Sequence, residues 1–413
     1  MLVDRWVQAA YERGASDVHI EPTGDDKLRV RLRVDGVLQV LETVTDATKA
    51  LARIKVMAGL DVNERNNPLD GRIHFPNAGR NGVDVRLNIT PCMAGEKAVL
   101  RLIDNSRLNN KLDDLAMTPR MLSLYKPLVT SPNGLILHVG PTGSGKTTSL
   151  YAAIQTLNTS AVNIQTVEDP VEYLVPGITQ TQVVHDQGLT FPKVLRALLR
   201  QDPNVILVGE IRDAETAEIA VEAALTGHLV FSTLHTNDAI GTVVRLVDMG
   251  LAPYSIAYAI RCVVAQRFVR QLCQACKKQV APPDELVKLI GQKRPVFEAE
   301  GCKECRREGF AGRVPLFELM PMSGGLRKAI YALAAPDELL AAAQKGGMIS
   351  LFHDGIDKVL AGVTTLEEML RVVKGVKELA KTGAPAPRPR PAKPLSPAPA
   401  PRPATSSRPR AKP

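Results

Sequence analysis

Through the first hundred residues, apolar and polar positions alternate in short runs. In Leu28–Val34 the apolar Leu28, Val30, Leu32 and Val34 are interleaved with Arg29, Arg31 and Arg33, a period of two that predicts a strand with one core face and one basic face. Asp35-Gly36 then signals a two-residue hairpin turn into Val37–Leu41. Shorter runs at Val18–Ile20, Val83–Ile89 and Ala98–Ile103 predict further strands, and Thr48–Met57 reads as helical. Residues 1–104 are therefore expected to form a small α/β domain, with the arginine row as a solvated strand face.

A polar connector over residues 105–115 leads into a different rhythm. Apolar runs at Leu135–Val139, Asn163–Val167, Val205–Val208 and Leu229–Leu234 are separated by helical stretches, which predicts a mostly parallel sheet covered on both faces. After Cys273 the pattern breaks into a cysteine-bearing insertion, residues 270–312, and then into helices, so the second domain is read as 116–380. Residues 381–413 hold eleven prolines and are expected to be a disordered, semi-extended tail without a core.

The formal charge of +9 invites a nucleic-acid reading. Seven Lys or Arg and no acid lie between Ala384 and Pro413, however, and the other 383 residues carry 45 basic against 43 acidic side chains. A basic balance confined to a tail argues against a nucleic-acid-binding face, and no direct nucleic-acid partner is expected. No apolar run approaches the roughly 18–20 residues that span a bilayer, and charged residues interrupt Met1–Gly14, so neither a transmembrane helix nor a signal peptide is expected. Six cysteines, four of them in two C-x-x-C pairs, suit a reducing compartment, and the cytoplasm is the expected address.

The strongest chemical signal is Gly140-Pro141-Thr142-Gly143-Ser144-Gly145-Lys146-Thr147, a full match to G-x-x-x-x-G-K-[ST] between a predicted strand and a predicted helix, with Thr148 next in the helix. In such a loop backbone N–H groups wrap phosphates, Lys146 reaches the β- and γ-phosphates, and Thr147 ligates magnesium. About sixty residues later an apolar strand ends in Gly209-Glu210, where Glu210 can hold the magnesium directly or through water. The strand before it ends in Glu168-Asp169-Pro170-Val171-Glu172, which makes Glu168 the candidate to orient the attacking water, with Glu172 in support. Which of Glu168 and Glu210 takes which role stays open at this point, because strand order cannot be read from sequence. Thr226–Thr236 forms a further segment, another strand ending near the same edge, and carries His228 and His235; a strand-end histidine can sense a γ-phosphate or serve structure alone. Together these features predict a RecA-like P-loop NTPase domain that binds Mg-ATP.

Cys273-x-x-Cys276 and Cys302-x-x-Cys305 are spaced like a structural zinc site, and four thiolates leave no open coordination position. The metal is expected to staple an insertion too small for its own core. Cys92 and Cys262 stand alone and read as ordinary buried thiols.

These pieces in this order resemble the secretion ATPases that power type II secretion and type IV pilus assembly, the GspE/PilB family. The resemblance covers about residues 14–375. Gly14–Pro22, Arg33–Gly36, Asp70–Ile73 and Gly95–Lys97 look like the family's N-terminal, PAS-like domain; Glu168–Glu172 looks like its Asp box, Val208–Asp213 like its Walker B region and Thr226–His235 like its His box. The resemblance implies a homohexameric motor that hydrolyses ATP between two domains and works on an inner-membrane platform protein from the cytoplasmic face. It makes His235 a sensor residue, and it nominates Arg72, Arg86, Arg196 and Arg200 as arginines that complete the site across domain or subunit boundaries. A pilus-retraction motor is disfavoured by the four cysteines, which retraction members lack; DNA-uptake relatives and a non-hydrolysing nucleic-acid binder are the remaining alternatives. Against the family pattern, the chain is read as starting almost at the small domain, without a further N-terminal module, and His138 stands where a small hydroxyl residue is usual.

Overall fold

The alternation in Leu28–Val34 is realised as a strand whose Leu28, Val30 and Leu32 are fully buried. The computed structural model describes residues 2–79, 82–103, 111–290 and 293–373. Near the N-terminus, strands β1 (Ala15–Gly24), β2 (Lys27–Val34), β3 (Val37–Thr45), β4 (Leu69–Phe75), β5 (Val83–Cys92) and β6 (Gly95–Ile103) form one sheet in the order β3-β2-β1-β6-β5-β4. Every pairing in it is antiparallel. The β2–β3 turn has φ of 49° at Asp35 and 86° at Gly36, the left-handed pair that a two-residue hairpin requires.

Helices Leu2–Glu12 and Ala47–Met57 cover one face of this sheet through Val3, Trp6, Val7, Ala50, Leu51 and Ile54. Neither the first helix nor β4 is among the elements expected from sequence, although Val3, Trp6, Val7 and Ala10 have helical spacing. The opposite face is more than a solvated row of arginines. Arg29, Arg31 and Lys97 surround the buried Glu21, while Arg33 and Arg101 flank the buried Asp17. Burial alone would raise the Glu21 carboxyl, but its bonds to Arg31 and Lys97 bring it down to about 2.

The second sheet contains β7 (Gly134–Val139), β8 (Ile164–Glu168), β9 (Thr179–Gln182), β10 (Val205–Val208), β11 (Leu229–Leu234), β12 (Ile260–Leu272) and β15 (Phe310–Pro321). Their order is β15-β12-β7-β11-β10-β8-β9, parallel throughout except for β15 against β12. Every residue of β7, β8, β10 and β11 is buried; β10 is an unbroken apolar run, whereas β8 also buries Gln165, Thr166 and Glu168, β7 buries His138, and β11 buries Ser232 and Thr233. Helices Pro119–Val129 and Lys146–Leu157 pack on one face; Phe191–Leu198, Ala214–Leu225, Ala239–Asp248, Pro253–Ala259, Gly324–Tyr331 and Pro336–Lys345 pack on the other. The domain is thus α/β, with the mixed, mostly parallel sheet expected of a P-loop fold.

Neighbouring strands β7 and β11 send their following helices to opposite faces, leaving a crevice at their carboxyl ends, the usual ligand position in such sheets. The cysteine-bearing insertion lies between β12 and β15 and adds the two-stranded sheet β13 (Lys277–Val280) and β14 (Val296–Ala299). It shares a core with helices Leu351–Leu360 and Leu366–Val372. The strands β9, β12 and β15 are absent from the sequence reading. Of the two lone thiols expected to be buried, Cys262 is buried but Cys92 is exposed at the end of β5. Of the expected connector, residues 105–110 lie outside the described residues, as does the whole proposed tail.

Candidate nucleotide site and metal centre

Strand β7 delivers the chain into Gly140, and the loop closes at Gly145, which precedes helix Lys146–Leu157 with φ of 89°. A Cβ at Gly140 would lie 2.5 Å from the Gln266 carbonyl, and one at Gly145 would lie 2.7 Å from Gln266 Nε2. Glycine at both positions is therefore demanded by close packing as well as by backbone conformation. Ser144 Oγ is buried without a hydrogen-bond partner, and Thr147 and Thr148 are half-buried in the first helical turn. Lys146 curls back over the loop and donates from Nζ to the carbonyls of Gly140 at 2.8 Å and Pro141 at 3.1 Å. Burial pushes its pKa down, the charge of Glu210 acts in the opposite direction, and Arg267 lowers it further.

The carboxylates expected at the strand ends arrive at the same edge. Glu168 closes β8 and is only 4% exposed. Its Oε2 accepts from Tyr151 Oη at 2.5 Å, and its Oε1 accepts from Thr166 Oγ1 at 2.6 Å and Gln180 Nε2 at 3.2 Å. Of a carboxylate's roughly four lone-pair sites, about one is then left for water. Glu210, two residues past β10, instead faces the guanidinium of Arg212, with Nη2 at 2.5 Å, and the imidazole of His235, with Nε2 at 3.4 Å. Arg212 also reaches Asp169 at 3.6 Å, and His185 approaches that same carboxylate at 3.5 Å. A line of polar contacts through Asp169, Arg212, Glu210 and His235 thus joins the ends of β8, β10 and β11.

The histidines separate by position. His235 lies just beyond the carboxyl end of β11 beside Glu210, whereas His228 precedes that strand, and its carbonyl accepts from the N–H of Gly134 at the start of β7. His228 is therefore at the edge remote from the phosphate loop. His138, on β7, is wholly buried and paired through Nε2 with Tyr125 Oη at 2.6 Å; burial, aided by Lys146, lowers it to about 3, so it is neutral.

Of the four arginines, Arg86 crosses between the domains. It donates to Glu172 Oε1 and to the Val171 carbonyl, both at 3.1 Å. Arg72 is its cross-strand neighbour and is exposed. Arg196 is held by Glu215 at 2.6 Å, and Arg200 donates to the Arg196 carbonyl at 2.8 Å, so neither bonds to the phosphate loop or to the strand-end carboxylates. Tyr151, Gln180, Arg212, Asp169, His185 and Gln266 belong to the site but were not singled out from sequence. Tyr151 lies one helical turn after Thr147, a spacing that places both on one helix face. Asp169 and Arg212 are sequence neighbours of Glu168 and Glu210, whereas Gln180, His185 and Gln266 reach the site from separate segments.

In the insertion, the Sγ atoms of Cys273, Cys276, Cys302 and Cys305 all lie within 4.8 Å of one another. Pairs stand at 3.9 Å (Cys273–Cys302), 3.7 Å (Cys276–Cys305) and 3.8 Å (Cys302–Cys305). Tetrahedral zinc with bonds of ~2.3 Å requires sulfur separations of about 3.8 Å, so the donor set fits that ion. The N–H groups of Cys302 at 3.1 Å and Gly309 at 3.2 Å point at Cys305 Sγ and favour its thiolate. Purified protein is expected to carry one zinc per chain by elemental analysis, with replacement of all four cysteines by serine removing it. Unchanged metal content in that variant would refute the assignment.

The sequence matches the protein family described as Type II/IV secretion system protein over residues 1–371. It is similar to the type IV pilus assembly ATPase PilB of Myxococcus xanthus, 44% identical over 378 residues that cover 89% of this chain and 67% of that one. It is also similar to the type II secretion system protein E of Pseudomonas aeruginosa, 47% identical over 379 residues that cover 90% of this chain and 75% of that one. Among solved structures, the pilus retraction motor PilT with bound ADP matches with a TM-score of 0.65 at 26% identity, covering 92% of this chain and 99% of that one.

Proposed function

The chain belongs to the family of type II/IV secretion system proteins, and from that premise we propose that it is a homohexameric motor that hydrolyses Mg-ATP to drive assembly of a secretion pseudopilus or a type IV pilus. The observation that carries this reading is the convergence of the phosphate loop, Glu168, Glu210 and His235 on one carboxyl edge of a parallel sheet. ATP is the substrate held by Gly140–Thr148, with Lys146 exchanging its loop carbonyls for phosphate oxygens. Thr147 and Glu210 hold magnesium, Glu168 orients water through its remaining lone pair, and His235 reports γ-phosphate to Glu210.

Arg86 joins the small domain to Glu172, four residues after Glu168, so closing one domain on the other changes the charge around the nucleotide. Arg72 acts beside Arg86 on the same sheet, and the exposed Arg196 and Arg200 serve a neighbouring subunit in this reading. The tetracysteine cluster supports an assembly motor over a retraction motor. The site of action is the cytoplasmic face of the inner membrane through a platform protein; no helix among the described residues is long and apolar enough to cross a membrane.

Arg86→Ala is expected to cut phosphate release at least about tenfold, a loss of roughly 1.4 kcal/mol of transition-state stabilisation. Turnover per subunit should also fall on dilution through ring dissociation, because a site completed by a neighbour works only in the oligomer. Full activity in Arg86→Ala would remove domain closure from the mechanism. Constant activity down to concentrations where sizing shows monomers would remove the ring.

A further inference from the structure

Strand β12 has no part in the motif reading, yet two consecutive residues on it touch both halves of the nucleotide site. Its register with β7 sets Ala265 opposite Val139, so Gln266 lies beside Gly140 at the mouth of the loop. Gln266 is 2% exposed, and its Oε1 accepts from Ser149 Oγ, in the first turn of the loop's helix, at 2.8 Å. Its carbonyl and its amide nitrogen fill the space that Gly140 and Gly145 leave by lacking side chains. One buried residue thus contacts the start of the phosphate loop, its end, and the helix beyond it.

The next residue does the same for the opposite wall. Arg267 donates from Nη2 to the backbone carbonyl of Asn237 at 2.9 Å and to its Oδ1 at 3.0 Å. Asn237 lies two residues after His235, and the N-cap of the next helix, Asp238, follows at once. The segment that carries His235 is therefore fastened at its far end to the same strand that braces the phosphate loop. Arg267 is also close enough to Lys146 for its charge to act on that ammonium, alongside the effect of burial.

We infer that Gln266-Arg267 is a positioning pair for the nucleotide site, Gln266 fixing the phosphate loop and Arg267 fixing the His235 segment against it. Because the two side chains leave one strand at adjacent positions, the separation of the loop and the histidine is set by backbone geometry. The inference rests on the reading that Gly140–Thr147 binds nucleotide, and it assigns the two residues different kinetic signatures. Gln266 acts on the loop that wraps phosphates common to ADP and ATP, so its loss weakens both. Arg267 acts on the residue that senses the γ-phosphate, so its loss slows turnover while ADP binding stays intact.

The test uses the full chain, with fluorescent ADP and a fluorescent non-hydrolysable ATP analogue for binding and phosphate release for turnover. Gln266→Leu should raise Kd for both nucleotides about fivefold, the scale of one net hydrogen bond. Ser149→Ala should raise them less and add little in the Gln266→Leu background, because both changes remove the same bond. Arg267→Ala should leave the ADP Kd within about twofold and lower kcat about tenfold, with partial rescue by Arg267→Lys. Wild-type protein that binds no nucleotide would sink the underlying reading. Wild-type protein that binds, with Gln266→Leu and Ser149→Ala binding equally well or Arg267→Ala losing ADP affinity in step with kcat, would overturn the pair's role. If Gln266→Leu does not fold, the Ser149→Ala and Arg267→Ala results decide the matter by the same criteria.

Discussion

Lys146→Ala is expected to lower ATP turnover by at least about a hundredfold while leaving the protein folded. Among the described residues, the lysine side chain makes two hydrogen bonds, both from Nζ to carbonyls of its own loop, and no ion pair. Its position is the first residue of helix Lys146–Leu157, where alanine is a good helix former. What is lost is the one ammonium able to turn from the Gly140 and Pro141 carbonyls onto the phosphates, where charge develops in the transition state. Phosphate release should therefore collapse while circular dichroism and the thermal midpoint stay close to wild type. A folded variant that turns over ATP at the wild-type rate would refute the phosphate loop as the reaction site.

How far such a site is legible in sequence depends on whether its contacts are local. The phosphate loop is eight consecutive residues whose glycines and lysine act within one turn of chain, so the motif carries its own geometry. Glu168, Glu210 and His235 were legible for a different reason: in a parallel sheet every strand's carboxyl end falls on one edge, and each of these residues lies at or just past the end of a strand expected from sequence. The neighbours that tune them were not. Arg212 reaches Asp169 only because β10 lies beside β8, and Ser149 meets Gln266 across 117 residues because β12 lies beside β7.

Strand β12 was missed as an element for the same reason. Its first half is buried on both faces and does not alternate, and its arginines at 261, 267 and 270 each find a partner in a distant segment. In the small domain, Arg29, Arg31 and Arg33 read as a solvated row because Glu21 and Asp17 sit on a neighbouring strand. The hairpin at Asp35-Gly36, by contrast, needed only its two turn residues to be read.

The roles of Glu168 and Glu210, left open by sequence, are separable by a second substitution with a large expected effect. Glu210→Gln keeps the shape of the side chain and removes its charge, and it should lower turnover by about a hundredfold or more. The two carboxylates differ in what surrounds them. Glu168 is enclosed by hydroxyl and amide donors from Tyr151, Thr166 and Gln180, whereas Glu210 is flanked by the guanidinium of Arg212, lies near His235, and acts electrostatically on Lys146. A carboxylate already held among cations is the one suited to exchange them for a divalent ion, since hard cations take oxygen ligands and are bound through charge. Glu210→Gln should therefore raise the magnesium concentration needed for half-maximal turnover, and leave Arg212 with Asp169 as its remaining carboxylate partner. Glu168→Gln should leave that magnesium requirement unchanged and act on kcat alone. Magnesium titrations of phosphate release on the two variants decide between the assignments: a shifted requirement in Glu168→Gln, with none in Glu210→Gln, would exchange their roles.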